Sequence, residues 1–359
     1  MIKPKILVAP LDWGLGHATR CIPIIREMLQ RGFQVEIAGN GNSLKLLQQE
    51  LPELITYEIP GYKISYPSNS FFFVLQILAQ VPRILNTVKK EHQWLIEKQK
   101  EKNWDLIISD NRYGCWHPDV RSVFITHQLQ VLSGFGSLVD RILLQLHYRM
   151  IRRFTYCWVP DAEQEHGLAG ILSHPPSLPK NIQYIGPLSR LDPTTKKENQ
   201  KIVVALSGPE PQRTLLEQKL ISIFSRQEWK MEEIVFLRGL PHTTPIPAKV
   251  DNIRFIQHLN SEAFAETISS AKLVVCRSGY SSVMDLVRLH KQAVLIPTPG
   301  QTEQEYLAGW LREKKLFSTC SQDDPKMGEI FQRALTSKLS HLSLDFDQFK
   351  KALDDLGIQ

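Results

Sequence analysis

Arg277-Ser278-Gly279 interrupts an apolar run, Leu273 to Cys276, and a helical pattern with a strong apolar face begins at Ser281 or Ser282. Strand, glycine turn and helix N-terminus in that order form an anion site. The first amides of a helix lack intrahelical acceptors, and the helix dipole favours negative charge beside them. Asp285 lies one turn into the same helix, where a carboxylate can accept hydrogen bonds from sugar hydroxyls. Main-chain donors and one carboxylate suffice to hold a nucleotide diphosphate without a metal ion.

A second constellation sits near the start of the chain. Gly14-Leu-Gly16-His17 follows the first apolar run and opens the first helical pattern. Two glycines allow the backbone to approach a ligand closely. A histidine at a helix start keeps a depressed pKa and can serve as a neutral general base, or simply as a capping imidazole. Asp110, in Ser109-Asp-Asn-Arg112 at the end of another apolar run, is a second candidate base; its alternative is an Asx-type turn. His258-Leu-Asn260 follows the run ending at Ile256, as a ligand-facing or an ordinary loop histidine.

These residues need a scaffold that brings them to strand ends. Short β-rich runs (Lys5–Pro10, Val35–Ala38, Thr56–Ile59, Leu106–Ser109, Ser122–Thr126, Tyr156–Pro160) alternate with helical patterns such as Ala18–Gln30 and Leu44–Leu51. The alternation restarts with strands Ile202–Leu206, Glu233–Leu237, Ile253–Ile256, Leu273–Cys276 and Ala293–Pro297, and helices Arg213–Phe224 and Phe264–Ser269. Such alternation implies parallel sheets covered on both faces. The fold expected is α/β, with two Rossmann-like, doubly wound parallel-sheet domains facing a cleft, ligands lying beyond the strand carboxyl ends. The boundaries expected are 1–185, a polar, proline-bearing linker at 186–200, a second domain at 201–340, and a terminal helix in 341–359 packing back on the first domain.

The motifs resemble glycosyltransferase family 28, the two-domain GT-B class that includes the N-acetylglucosaminyltransferase of peptidoglycan lipid intermediates. Gly14-Leu-Gly-His17 is similar to the family's glycine-rich loop ending in histidine, and Phe124-Ile-Thr-His-Gln128 to a segment rich in His, Glu and Gln. Gly186-Pro-Leu-Ser-Arg190 resembles the junction motif whose arginine reaches the diphosphate. The densest resemblance runs from Phe255 to Leu307. There Arg277-Ser278-Gly279 with Tyr280, Ser281 and Ser282 matches the family turn, Asp285 a ribose-binding glutamate, and Gln304-Glu305 a Gln-Gln pair near the donor sugar. His258 falls where the class reads uracil. The G-G-S-Q-G loop of the family is here Leu206-Ser207-Gly208-Pro-Glu-Pro, which changes the phosphate contacts, and Glu305 changes the sugar contacts.

The resemblance implies an inverting glycosyltransferase, using UDP-sugar as co-substrate without a cofactor, that moves a hexose onto a hydroxyl of a glycan, lipid or small molecule. His17 is the expected base, and Arg190 or Arg277 steadies the departing diphosphate. No D-x-D aspartate pair of the manganese-binding transferases is recognised, so metal independence is expected. The nearest rival is a UDP-sugar 2-epimerase of the same architecture, against which the missing glutamate-rich motif counts; a non-catalytic sugar-nucleotide-binding protein is the other.

Composition narrows the classes further. The 359 residues carry a net charge of +6 (43 basic minus 37 acidic), suiting phosphorylated ligands or an anionic membrane surface and too small to argue for nucleic acid. Five widely spaced cysteines form no C-x-x-C pair, so a reducing cytoplasm is expected and a zinc site is not. Phe71–Leu85 reads as a core helix kinked by Pro82 or as a lipid-facing segment. Leu138–Phe154, with its four arginines, reads as a packed helix or one lying on anionic lipid.

Overall fold

The structure is a computed structural model that describes residues 3–62, 79–132, 134, 136–163, 167–193, 201–240, 245, 247, 250–337, 340 and 342–358. Its described residues fall into two compact units. The first contains residues up to Arg190 and those from Leu344 onward; the second contains Leu191–Ser343.

The first unit is built on seven parallel strands in the order β3-β2-β1-β4-β5-β6-β7. These are β1 (Lys5–Pro10), β2 (Gln34–Gly39), β3 (Ile55–Glu58), β4 (Leu106–Asp110), β5 (Arg121–Ile125), β6 (Tyr156–Val159) and β7 (Ile182–Tyr184). The crossovers described include α1 (Gly16–Gln30), α2 (Gly41–Glu50), α3 (Val81–Lys102) and α4 (Ser137–Ile151). Every residue of β4 is buried, as expected of a central parallel strand covered on both faces. The strand order reverses between β1 and β4, which pair from Ile6↔Leu106 to Pro10↔Asp110. That register sets the end of β1 beside Asp110. The fall into two separate sheets agrees with the expected fold.

The second unit repeats the plan with six parallel strands, β10-β9-β8-β11-β12-β13. They are β8 (Lys201–Ala205), β9 (Glu233–Leu237), β10 (Ile253–Ile256), β11 (Leu273–Cys276), β12 (Ala293–Leu295) and β13 (Ser318–Thr319). Its helices are α5 (Gln212–Phe224), α6 (Ser261–Ser269), α7 (Tyr280–Arg288), α8 (Thr302–Glu313) and α9 (Met327–Thr336). Stacked and edge-on Phe224, Trp229, Phe236 and Phe331 fill one side of this sheet. Here the reversal lies between β8 and β11, paired up to Ala205↔Cys276.

Helix α10 (Gln348–Asp355) belongs to the first unit. Arg31 of that unit donates to Asp354 at 2.5 Å and to the Lys350 carbonyl at 3.1 Å. Pro82 stands in the first turn of α3, where a missing amide costs nothing. The phenylalanine-rich part of the Phe71–Leu85 segment lies outside the described residues.

Candidate active site

In the first unit, the chain leaves β1, bonds Leu11 N to the Asp110 carbonyl at 2.9 Å, and turns at Gly14 with φ +80°. Only glycine adopts that backbone freely. Gly16 then begins α1, so His17 occupies its first turn directly over the end of β4. His17 Nδ1 lies 2.6 Å from Asp110 Oδ1. Arg20 NH2 also lies 3.0 Å from Nδ1, but the shorter contact is to the Asp110 carboxylate, which can only accept, so Nδ1 carries the proton and Nε2 presents a lone pair. This is the arrangement of a base held in one tautomer by an acid partner.

Arg20 completes the pair. One turn along α1 from His17, its Nε donates to Asp110 Oδ2 and its NH2 group to Oδ1 at 2.5 Å. Its NH1 group lies 3.1 Å from His127 Nδ1, just beyond β5. Asp110 is fully buried and Arg20 is 2% exposed. Burial alone would raise the Asp110 pKa; Arg20 and His17 outweigh it and hold the carboxyl down at about 2. Burial lowers the pKa of His17, Asp110 opposes this, and Arg20 adds to the lowering, with a net fall. His17 is therefore neutral over a wider acid range than a free histidine.

Asp110 has no exposed surface, and both its oxygens are engaged, by His17 and by Arg20. The sequence reading missed Arg20 and used His127 only as part of a motif. The available signal was spacing: His17 and Arg20 are i, i+3 neighbours on one helix face. Behind the dyad, Arg112 is buried with Glu91. It donates to Glu91 at 2.5 Å and to the Pro10 carbonyl at 2.7 Å, and Tyr62 donates to Glu91 at 2.8 Å. Arg112 thus ties the ends of β1 and β4 to α3.

In the second unit, three loops leave the carboxyl ends of adjacent strands β8, β11 and β12. Arg277, 1% exposed, binds them together. Its NH1 group donates to the Pro297 carbonyl at 3.0 Å, and its NH2 group to the Gln212 carbonyl at 2.8 Å and Gln322 Oε1 at 2.7 Å. Burial brings its pKa down to about 10, which leaves it charged at neutral pH. Among the described residues, Nε of the guanidinium has no hydrogen-bond partner, nor does the buried Thr298 hydroxyl. Both border the space above Gly208: a Cβ there would lie 3.6 Å from Thr298 Oγ1 and 3.9 Å from Arg277 Nε. Gly208 has φ +102°, which Ser207-Gly-Pro requires to turn out of β8.

Gly279 is the N-cap of α7, and no side chain caps that helix. The other turn residues support it. Ser278 Oγ donates to the Gln304 carbonyl at 2.8 Å, Tyr280 is buried, and Ser281, Ser282 and Asp285 are half-buried along the first turns. Gln304 Oε1 accepts from Thr298 N at 2.9 Å, and Glu305, exposed, accepts from Gly300 N at 2.9 Å. His258 is half-buried after β10, and Asn260 Oδ1 caps α6 through Ala263 N at 2.9 Å. The structure thus gathers Ser207, Gly208, Arg277–Ser282 and Gln304 at the strand ends of the second sheet, and His17 with Asp110 at those of the first. Arg190 belongs to the first unit, where it pairs with Glu50 at 3.2 Å.

The sequence does spell one D-x-D, Asp345-Phe-Asp347, which corrects the expectation that none is present. Its carboxylates are engaged locally at the start of α10: Asp345 Oδ1 accepts from Asp347 N at 2.8 Å, and Asp347 pairs with Lys350 at 2.9 Å. Among the described residues no cluster of three or more His, Cys, Asp or Glu has metal-binding geometry.

Residues 202–343 match the glycosyltransferase family 28 C-terminal domain. The chain is 21% identical over 343 residues to an uncharacterized glycosyltransferase of Methanosarcina mazei, covering 89% of this chain and 86% of that protein. Among solved structures, it is similar to the glycotransferase of kitacinnamycin, with a TM-score of 0.64 and 14% identity over all of both chains. It is also similar to the spinosyn rhamnosyltransferase SpnG complexed with thymidine diphosphate, with a TM-score of 0.58 and 15% identity over 98% of this chain and 92% of that one. The two-sheet architecture is that of the GT-B glycosyltransferases.

Proposed function

We propose that this chain, whose residues 202–343 match the glycosyltransferase family 28 C-terminal domain, moves a hexose from a nucleotide sugar, UDP-hexose, to an acceptor hydroxyl with inversion. The observation that carries the reading is His17: one ring nitrogen fixed on Asp110, the other left with its lone pair. His17 Nε2 takes the acceptor proton as the acceptor oxygen bonds to the anomeric carbon. The bond from that carbon to the diphosphate oxygen breaks, and its electron pair leaves with the diphosphate. Asp110 stabilises the imidazolium that forms. One displacement at one carbon inverts it.

The second unit supplies the donor site. The leading amides of α7 and the donors around Gly208 favour the growing charge of the diphosphate. Fixed dipoles of this kind lower the barrier without a divalent ion, so EDTA is expected to leave turnover unchanged. Asp285 is assigned to the ribose, His258 to the edge of the base, and Gln304 with Glu305 to the hexose. A similar protein complexed with thymidine diphosphate makes the choice of base the first thing to test. The acceptor belongs to the first unit, and the reading favours a lipid or glycan met at the cytoplasmic face of a membrane.

A thermal-shift screen of UDP-, TDP- and GDP-sugars tests the donor assignment, because a ligand held by the native state alone raises Tm. Stabilisation by UDP-hexose above the others is expected. Indifference to all three would sink the reading. His17→Ala is expected to lower kcat/KM roughly 10²- to 10⁴-fold while the UDP-induced shift persists; unchanged turnover would remove His17 as the base.

A further inference from the structure

Five arginines are buried among the described residues, and four of them face a carboxylate. Arg20 pairs with Asp110, Arg112 with Glu91, and Arg213 and Arg238 with Glu217. Arg277 is the exception. The acceptors of its NH1 and NH2 groups are the carbonyls of Ile296, Pro297 and Gln212 and the side-chain amide of Gln322, all of them neutral. A buried cation that meets no opposite charge is costly, and the other four pairs show how this fold ordinarily offsets that cost.

Gln322 stands 45 residues beyond Arg277, just after β13, and is buried. Its Oε1 accepts from the Arg277 NH2 group at 2.7 Å, and its Nε2 donates to Gln212 Oε1 at 3.0 Å. Gln212, the first residue of α5, accepts from the same NH2 group through its carbonyl at 2.8 Å. The two glutamines therefore close a ring around one edge of the guanidinium and orient each other. A guanidinium has five N–H donors, and neutral acceptors take the four on NH1 and NH2. The fifth, on Nε, borders the space over Gly208 together with the buried Thr298 hydroxyl. A glutamate at position 322 would hold the fork as well and cancel its charge. An amide holds the fork and leaves the charge to a ligand.

We propose that Gln322, braced by Gln212, is a positioning residue of the donor site: it holds Arg277 by its outer edge without neutralising it, so that the charge and the Nε–H meet a phosphate oxygen over Gly208, with the Thr298 hydroxyl as second donor. Identifying that phosphate with the donor diphosphate rests on the transferase reading. Anion capture itself is measured with inorganic pyrophosphate, which carries neither sugar nor base.

The test is calorimetric titration of the full chain with inorganic pyrophosphate and with UDP, alongside thermal unfolding without ligand. Gln322→Glu keeps an acceptor on Arg277 and brings a carboxylate to a buried cation, with Gln212 turning its amide to donate. Its ligand-free Tm should rise while its pyrophosphate affinity falls roughly 10- to 100-fold, because the charge is already met. A purely structural amide would leave affinity untouched or move it in the same direction as Tm. Gln322→Leu releases the fork and should weaken pyrophosphate binding roughly tenfold. Once Arg277 is replaced by glutamine there is no guanidinium to hold, so adding Gln322→Leu should lower UDP affinity no further. Wild-type affinity in either Gln322 variant, a joint fall of Tm and affinity in Gln322→Glu, or the same loss from Gln322→Leu with and without Arg277 would each overturn the proposal. Any of these alongside UDP binding by the wild type would leave the transferase reading standing. A wild type that binds neither UDP nor pyrophosphate would end both.

Discussion

At the residue scale, the chemistry of the first unit depends on three side chains that compete over one proton. Asp110 pulls the imidazole of His17 towards protonation, whereas burial and Arg20 push it away. The net result is a base that remains neutral in mild acid. Arg20→Gln removes one of the lowering influences, so the pKa of His17 rises. On the proposed reading only neutral His17 accepts the acceptor proton, so the acid limb of the kcat/KM profile should move to higher pH. A purely structural role would lower the amplitude and leave the limb in place. Arg20→Lys keeps the charge and loses the two-pronged grip on Asp110, so its limb should stay nearer the wild-type position. His17 was legible in the sequence because it follows a glycine turn at a strand end. Arg20 was not, because its meaning comes from Asp110, 90 positions away and brought alongside by the pairing of β1 with β4.

At the element scale, the strands close to the site were the easiest to read. β1, β4, β8 and β11 are unbroken apolar runs with a sharp end, as fully covered parallel strands must be. The edge strands β7 and β13, of three and two residues, gave no such signal. The packing of α4 was also hidden, because its buried face includes a histidine. His147 Nε2 donates to the Gln128 carbonyl at 2.8 Å, and Nδ1 accepts from the Tyr113 hydroxyl at 2.7 Å. Burial brings its pKa down to about 4. A depressed histidine pKa means that the unfolded chain takes up the proton first. Stability from this group is therefore intact above about pH 6.5 and declines as pH falls towards 4, by about 3 kcal/mol in all. Urea melts of wild type and His147→Gln at pH 7, 5.5 and 4 measure this. The wild type should lose about that much more than the variant over the range; parallel losses would mean that His147 is protonated in the native state.

At the scale of the whole molecule, two sheets of like strand order each place a reversal point under a candidate site, β1 beside β4 and β8 beside β11. That duplication is why strand and turn patterns restarting near residue 201 were enough to read the architecture. The chain then does something that periodicity alone could not convey: after building the second unit it returns at Leu344 to complete the first. The return is well anchored. Phe349, Ala352, Leu353 and Leu356 are buried, Gln348 donates to the Tyr184 carbonyl at 3.1 Å, and Gln183 donates to Asp355 at 2.9 Å. Arg121 also donates to the Leu356 carbonyl. Gly186 has room for no side chain, since a Cβ there would lie 2.3 Å from the Asp345 carbonyl oxygen. Truncation after Ser343 exposes the surfaces that α10 covers. Burying Phe349, Leu353 and Leu356 contributes of order 5 kcal/mol, comparable to the whole stability of an average domain. The truncated chain should therefore lose hydrogen-exchange protection in β5, β6, β7 and α1, while β8, β11 and α7 keep theirs and UDP still stabilises the second unit. Transfer should fall with the first unit, because His17 stands on α1. If exchange in β7 and α1 were unchanged, α10 would be an ornament on the first sheet; if protection were lost equally in both units, the two would have to unfold as one.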